Sequence, residues 1–161
     1  MKSFEKYKRL IKLGFSLAMI LMLVSLYGYL WVNYYNVVIL YPFFKKGNWM
    51  MIALYTVLLI FFMKMYGGFK VGYLKKGNLI YSQVLSIILA NTFTYFQIAV
   101  LDKRFFNPIH LIILTAIDFV VIVIWTLIFQ TIYNKMFPPR KMLFISGDRE
   151  DYHLMEKINS R

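Results

Sequence analysis

The chain has 161 residues, 60% of them hydrophobic and 16% charged, with 19 Lys and Arg against 7 Asp and Glu and a net charge of +12. Cysteine is absent, which excludes disulfides and thiolate metal sites and leaves the redox compartment unread. No soluble stretch is longer than the last 28 residues, so the composition leaves room for one membrane bundle and excludes an independent soluble core.

The first twelve residues are basic (Lys2, Lys6, Lys8, Arg9, Lys12) and lead into an apolar run from Leu13 to Trp31. This start is like that of a secretory signal. However, 19 apolar residues with no small-residue cleavage site after them predict a retained span. Three more runs follow, Trp49 to Tyr66, Leu79 to Leu101 and Ile109 to Tyr133, of 18, 23 and 25 residues. A helix needs about 20 residues to cross the hydrocarbon core. Backbone polar groups must be paired inside lipid, and these runs lack the alternation of barrel strands. The predicted fold is therefore all-α, a four-helix transmembrane bundle over residues 13–133.

Lys and Arg crowd into alternate flanks. Fifteen lie before the first span, around the second loop and after the fourth span, against four at Lys45, Lys46, Lys103 and Arg104. The richer side is expected to be cytoplasmic, which puts both termini on the inner side. Basic residues beside span ends set topology and meet anionic headgroups, so the charge argues for a lipid bilayer partner and against nucleic acid. Aromatics support the same map, with Trp31, Tyr34, Tyr35, Tyr41 and Trp49 at the outer boundary and Tyr66, Tyr73, Tyr81, Trp125 and Tyr133 at the inner one.

Inside the spans the polar residues are few. Asp118 is nine residues into the fourth run, roughly 13 Å from its outer end. Asn91 is twelve residues into the third, roughly 18 Å from the inner end, and Ser25 falls at the same height on the first. A carboxyl group there should face the bundle interior, neutral or hydrogen-bonded, with Asn91 as its partner, while Lys64 can snorkel to water. Gln83, Ser86, Ala90, Thr94 and Gln97 form a small and polar stripe on the third helix, read here as a packing seam in preference to a transport path. Asp118 is likewise read as a structural clip in preference to a proton or substrate relay. His110 and His153 have no second ligand at useful spacing and are expected at the surface.

After Tyr133 the composition changes at Phe137-Pro138-Pro139, where two prolines stop the helix. Lys141 to Asp148 reads as a short buried strand ending in a Gly turn, and Glu150 to Ser160 as an amphipathic helix. Together they form the first strand and helix of an incomplete Rossmann-like α/β domain over 134–161, because one strand and one helix cannot bury their apolar faces alone. A dinucleotide fingerprint needs three spaced glycines, and this turn has only Gly147.

The basic N-terminus, four spans and the segment FPPRKMLFISGDREDYHLMEKINSR resemble the front of the bacterial polyprenyl-phosphate sugar-1-phosphate transferases. The stretch YGGFKVGYLKKGNLIYSQ, Tyr66 to Gln83, is similar to the one after that family's second span. The resemblance covers the whole chain but rests on architecture and on no catalytic signature. It implies that the Rossmann-like domain begun here is followed by a catalytic domain with a re-entrant helix, an Asp-Glu pair and magnesium, and that none of the catalytic domain is in this chain. No catalytic, cofactor-binding or metal-binding residue is then expected here, and polyprenyl phosphate and nucleotide sugar would be met only through the missing domain. The expected role is anchoring, oligomerising or regulatory, without activity alone. The competing reading is a complete small membrane protein, a transporter subunit or an accessory of lipid or polysaccharide export.

Overall fold

The computed structural model describes residues 2–39, 42, 44–71, 74–105 and 107–136. Four long helices carry nearly all of them: α1 (Lys2–Leu30), α2 (Lys45–Tyr66), α3 (Lys76–Asp102) and α4 (Ile109–Met136). Among the described residues there is no strand. The strand and helix expected over 141–160 lie outside the described residues, as do Tyr41, Tyr73 and His153.

Each helix contains a segment long and apolar enough to cross a membrane: Leu10–Val38, Lys46–Tyr66, Lys76–Asp102 and Ile109–Tyr133. The first is longer than the run from Leu13 to Trp31. After Leu30 the helix continues through a π-helical turn, Trp31–Tyr35, and a last turn, Asn36–Val38. Apolarity fades at Trp31, but nothing in Val32 to Val38 stops a helix, and propagation ends only where a breaker or cap intervenes.

The breakers of the other helices are specific. Gly67 closes α2 in the left-handed region at φ 78°, and the N–H of Gly68 donates to the Met63 carbonyl at 2.8 Å. Lys103 closes α3 in the same region at φ 55°, an uncommon conformation for a residue with a Cβ. Asn107 caps α4, its Oδ1 accepting the Ile109 N–H at 3.1 Å, with Pro108 between them where its missing N–H costs nothing. Gly67→Ala forces a Cβ into the left-handed region, so it should lower the unfolding free energy by about 1 kcal/mol in a detergent thermal melt. Gly77→Ala, with open space around its Cβ and ordinary helical backbone, should lower it not at all.

The helices pack as a closed ring in which each touches the next in chain order and α4 returns to α1. Short connections make sequential neighbours antiparallel. One end of the bundle gathers the start of α1, the 67–75 loop and the end of α4; it is called the basic end below. The inward faces are regular: Met51, Tyr55, Leu59 and Met63 recur every fourth residue on α2, and Leu23, Tyr27, Trp31 and Tyr35 do so on α1. Outward faces carry Leu17, Leu21, Val57, Phe61, Ile112 and Ile113, all exposed. An apolar girdle running round four helices is far larger than water tolerates and suits hydrocarbon.

Candidate functional site in the bundle core

The polar residues of the core are collected at three heights between helices. At mid-height, Asn91 of α3 is the hub. Its Oδ1 accepts from the Tyr55 hydroxyl of α2 at 3.1 Å, and its Nδ2 donates to Thr115 Oγ1 of α4 at 2.8 Å and, less closely, to Asp118 Oδ2 at 3.4 Å. One amide thus joins three helices. Asp118 is 0% exposed, and its second carboxyl oxygen, Oδ1, has no hydrogen-bond partner. No cation pairs with it among the described residues, where the only ion pair joins Arg104 to Asp102.

Toward the basic end, Gln83 is the second hub. Its Nε2 donates to the Gly68 carbonyl at 3.0 Å, and its Oε1 accepts from Thr126 of α4 at 2.9 Å. Next to it, the Ser86 hydroxyl reaches the carbonyls of Ser82 at 2.7 Å and Phe62 at 3.2 Å. Gly68 is what lets the loop approach, because a Cβ there would meet Gln83 Cγ at 3.3 Å and Met63 Cγ at 3.5 Å. Trp125 of α4 ties the same end to α1 through a bond from Nε1 to the Phe15 carbonyl at 3.2 Å, with the two rings 5.5 Å apart.

At the opposite end the core is aromatic. Tyr27, Trp31 and Tyr35 stack along α1 with centroids 6.4 Å apart, and Tyr55 lies flat on Tyr27 at 4.0 Å. Residues spaced by four drift forward on a 3.6-residue helix, and the wider π turn at Trp31–Tyr35 cancels that drift and keeps Tyr35 in the stack. Trp31 Nε1 donates to Asn48 Oδ1 at 3.0 Å, joining α1 to α2. Arg104 pairs with the buried Asp102 and donates to the Val38 carbonyl at 3.0 Å, fastening the α3–α4 loop to the end of the first helix.

Against the residues singled out from sequence, the structure brings Asn91 and Asp118 together, and it places Gln83 and Ser86 in interhelical bonds. Ser25 is elsewhere. It is exposed, and its hydroxyl bonds back to the Leu21 carbonyl of its own helix at 2.7 Å, because it sits between Leu23 and Tyr27 on the face opposite to them. Gln97 is half-buried and reaches only Met51 Sδ, at 3.4 Å. Thr94 bonds its own helix at the Ala90 carbonyl. Trp31 and Tyr35, expected among the outer-boundary aromatics, are fully buried between the helices, with Trp31 level with Asn48 near the start of α2. Nor is His110 a simple surface histidine: its ring stacks on Tyr34 at 3.6 Å, and its Nδ1 is buried without a hydrogen-bond partner.

Tyr55, Thr115 and Thr126 were not anticipated. A run of aromatic and β-branched residues inside an apolar span gives no sign of which hydroxyl points inward. The every-fourth-residue stripe of Met51, Tyr55, Leu59 and Met63 is the signal that places Tyr55. Asp102 also escaped the sequence reading because it closes α3 at its very end.

Chemically the core is poor in reactive pairs. Among the described residues no group of three His, Cys, Asp or Glu could hold a metal ion. Asp118→Asn keeps the shape and the Asn91 contact while removing a carboxyl group from the middle of the spans. The unfolding free energy should stay within about 1 kcal/mol of the parent in a detergent or bicelle melt, as expected of a structural clip whose bond to Asn91 is kept, whereas a larger gain would mark a carboxyl group held for function at a cost in stability.

No family model matches the chain, and comparison with curated proteins and with solved structures gave no significant match. Fold and core together define a multi-pass helical membrane protein.

Proposed function

We propose that this chain is the membrane-anchoring part of a transferase that moves a sugar-1-phosphate from a nucleotide sugar to polyprenyl phosphate in polysaccharide synthesis. In this reading the basic end faces the cytoplasm of a bacterial plasma membrane. Residues 134–161 open the cytoplasmic α/β domain, and the catalytic residues with their magnesium lie in a further domain. The observation that carries the anchoring role is how the core polar groups are used. Gln83, Ser86 and Asn91 each bond another helix or loop, which ties the bundle into a fixed platform. The sugar-phosphate chemistry is supported by the resemblance of FPPRKMLFISGDREDYHLMEKINSR and YGGFKVGYLKKGNLIYSQ.

One feature favours a second reading. The unpartnered Oδ1 of Asp118, at mid-span, is what a proton or substrate relay would offer in a small transporter subunit or export accessory. The test is to sequence the gene downstream of codon 161, express the full frame, and assay its membranes for label passing from a nucleotide sugar to polyprenyl phosphate. Label in the lipid fraction, lost with the frame's Asp-Glu pair, supports the transferase. A stop codon at 162, or an intact frame with no lipid-linked label, sinks it.

A further inference from the structure

Asp118 Oδ1, the Tyr27 hydroxyl and His110 Nδ1 are all buried without a hydrogen-bond partner, and all lie between mid-height and the aromatic end of the core. Buried polar atoms are rarely left so, and where the protein supplies no partner an ordered water does.

Their placement follows two columns. Asp118 and His110 are eight residues, roughly 12 Å, apart on α4, and Tyr27 and Tyr35 are as far apart on the first helix. The columns meet at mid-height, where Tyr27 lies flat on Tyr55 at 4.0 Å and Tyr55 donates to Asn91, which bonds Asp118. The Tyr55 hydroxyl is within electrostatic reach of Asp118 and of Tyr27 alike. They meet again at the aromatic end, where Tyr34, next to Tyr35, stacks on His110 at 3.6 Å and both rings are half-buried. Hydroxyls and a ring nitrogen thus lead from that end of the bundle down to the carboxyl group.

Toward the basic end the core closes. Leu23, Leu59, Ile87 and Ile122 lie one turn beyond Tyr27, Tyr55, Asn91 and Asp118, one on each helix, and none is more than 1% exposed. Past this apolar layer, Gln83, Ser86 and Thr126 are engaged with one another or with backbone carbonyls. Gln130 has an unpartnered oxygen, but an amide takes up no proton. Val71 packs on Leu79 and Phe129 across the end itself.

We propose that Asp118 is a proton-binding site reached from the aromatic end, through Tyr27 and the His110–Tyr34 entrance, and closed toward the basic end. The proton arrives on a hydronium ion, which leaves as water, and forms an O–H bond at Oδ1. The groups facing the carboxyl group are Tyr27 and Tyr55 from the first two helices, Asn91 from α3 and Thr115 from α4. No charged side chain stands among them in the described residues, the Arg104–Asp102 pair lying at the end of α3. The Asn91 hub reads the occupancy. Its Nδ2 is 2.8 Å from Thr115 and 3.4 Å from Asp118, whereas a charged carboxylate draws a donor to about 2.7–2.9 Å. Loss of the proton therefore pulls Asn91 off Thr115 and changes the bonds that join three helices. With its proton on, Asp118 still clips α4 to α3, so the site adds to the anchoring role. It builds on the alternative reading of Asp118 and narrows it, since a relay needs two mouths and this site has one.

The test is infrared difference spectroscopy of the full chain in phosphatidylcholine nanodiscs, between alkaline and acid buffer, with a pH jump for the rate. A carboxyl C=O band should appear on acidification and be missing in Asp118→Asn. Should that variant misfold, Thr115→Val leaves Asn91 Nδ2 only the carboxyl group to bond and should shift the band's frequency. Tyr27→Phe should slow the band's appearance about tenfold by breaking the water path, while Thr126→Val, beyond the apolar layer, should leave the rate unchanged. A band that ignores pH overturns the site. So does a rate that Tyr27→Phe leaves unchanged or that Thr126→Val slows. A pH dye trapped in vesicles carrying the chain should report no more proton leak than protein-free vesicles. Proton flux there would support the relay and overturn the one-sided site, whereas a responsive band without flux fails the relay and keeps the site.

Discussion

Replacing Asn91 by Leu should cost about 2 to 3 kcal/mol of unfolding free energy, the larger effect of the two hubs, measured by steric trapping or denaturant titration in bicelles. The substitution conserves volume to a first approximation, so packing changes little. What it removes is the acceptor of the Tyr55 hydroxyl and the donor to Thr115 and Asp118. Thr115 keeps a partner, since its hydroxyl also donates to the Leu111 carbonyl at 2.7 Å. Tyr55 and Asp118 do not: a buried hydroxyl and the last contact of a buried carboxyl group are both left without a partner. Leaving one buried group unmade costs about 1 to 3 kcal/mol in water-soluble cores. Interhelical bonds in membranes average nearer 0.6 kcal/mol, because the separated helices also find partners in lipid. Two orphaned groups at the low end of the first range give the expected figure. Combining Asn91→Leu with Tyr55→Phe should recover part of the loss, because the second change deletes the orphan hydroxyl. A double-mutant cycle with no coupling would show that the hub does not act as one network.

How much of this was readable without coordinates depended on which physical rule each feature obeys. Four spans follow from run length against bilayer thickness, a rule with no competitor in this sequence. The height of Asn91 against Asp118 follows from counting residues along two antiparallel helices at a fixed rise. Height alone does not give the face, which is why Ser25, level with them, points the other way. Two residues are about 200° of helical turn, and Leu23 and Tyr27 already hold the inward side. The π turn was not readable, since Trp-Val-Asn-Tyr-Tyr has no breaker and the wider turn is imposed by stacking on Tyr27 and by the Asn48 bond. Thr126 is not legible in the sequence, because the spacing of Gln83 on α3 shows a stripe on that helix and gives no sign of the bond across to α4.

Trp31→Ala should be the most damaging single substitution in the first helix, at about 3 kcal/mol, and Trp31→Phe should cost only about 1 kcal/mol. Trp31 is 0% exposed and sits between Tyr27 and Tyr35 in the stack, with its Nε1 on Asn48. In a water-soluble core the Ala variant would cost about 3 to 5 kcal/mol, part of it transfer of the ring from water and part the cavity. The transfer part largely vanishes here, because an unpacked Trp in a membrane is already surrounded by hydrocarbon. What remains is lost dispersion with two rings, a cavity the stiff stack cannot close, and an Asn48 carbonyl left without its donor. Phe keeps most of the ring contact and loses the bond to Asn48, which separates the two contributions. The π turn supplies a second readout. It exists to hold Tyr35 under Trp31, so Trp31→Ala should let residues 31–35 relax to an ordinary α-helix and rotate Tyr35 out of the core. Scalar coupling across the hydrogen bond reports this directly, since the Asn36 N–H now bonds the Trp31 carbonyl and in an ordinary α-helix would bond that of Val32. An Asn36–Trp31 coupling that persists in a destabilised Trp31→Ala protein would assign the turn to another cause, with the Tyr34–His110 stack as the next contact to remove.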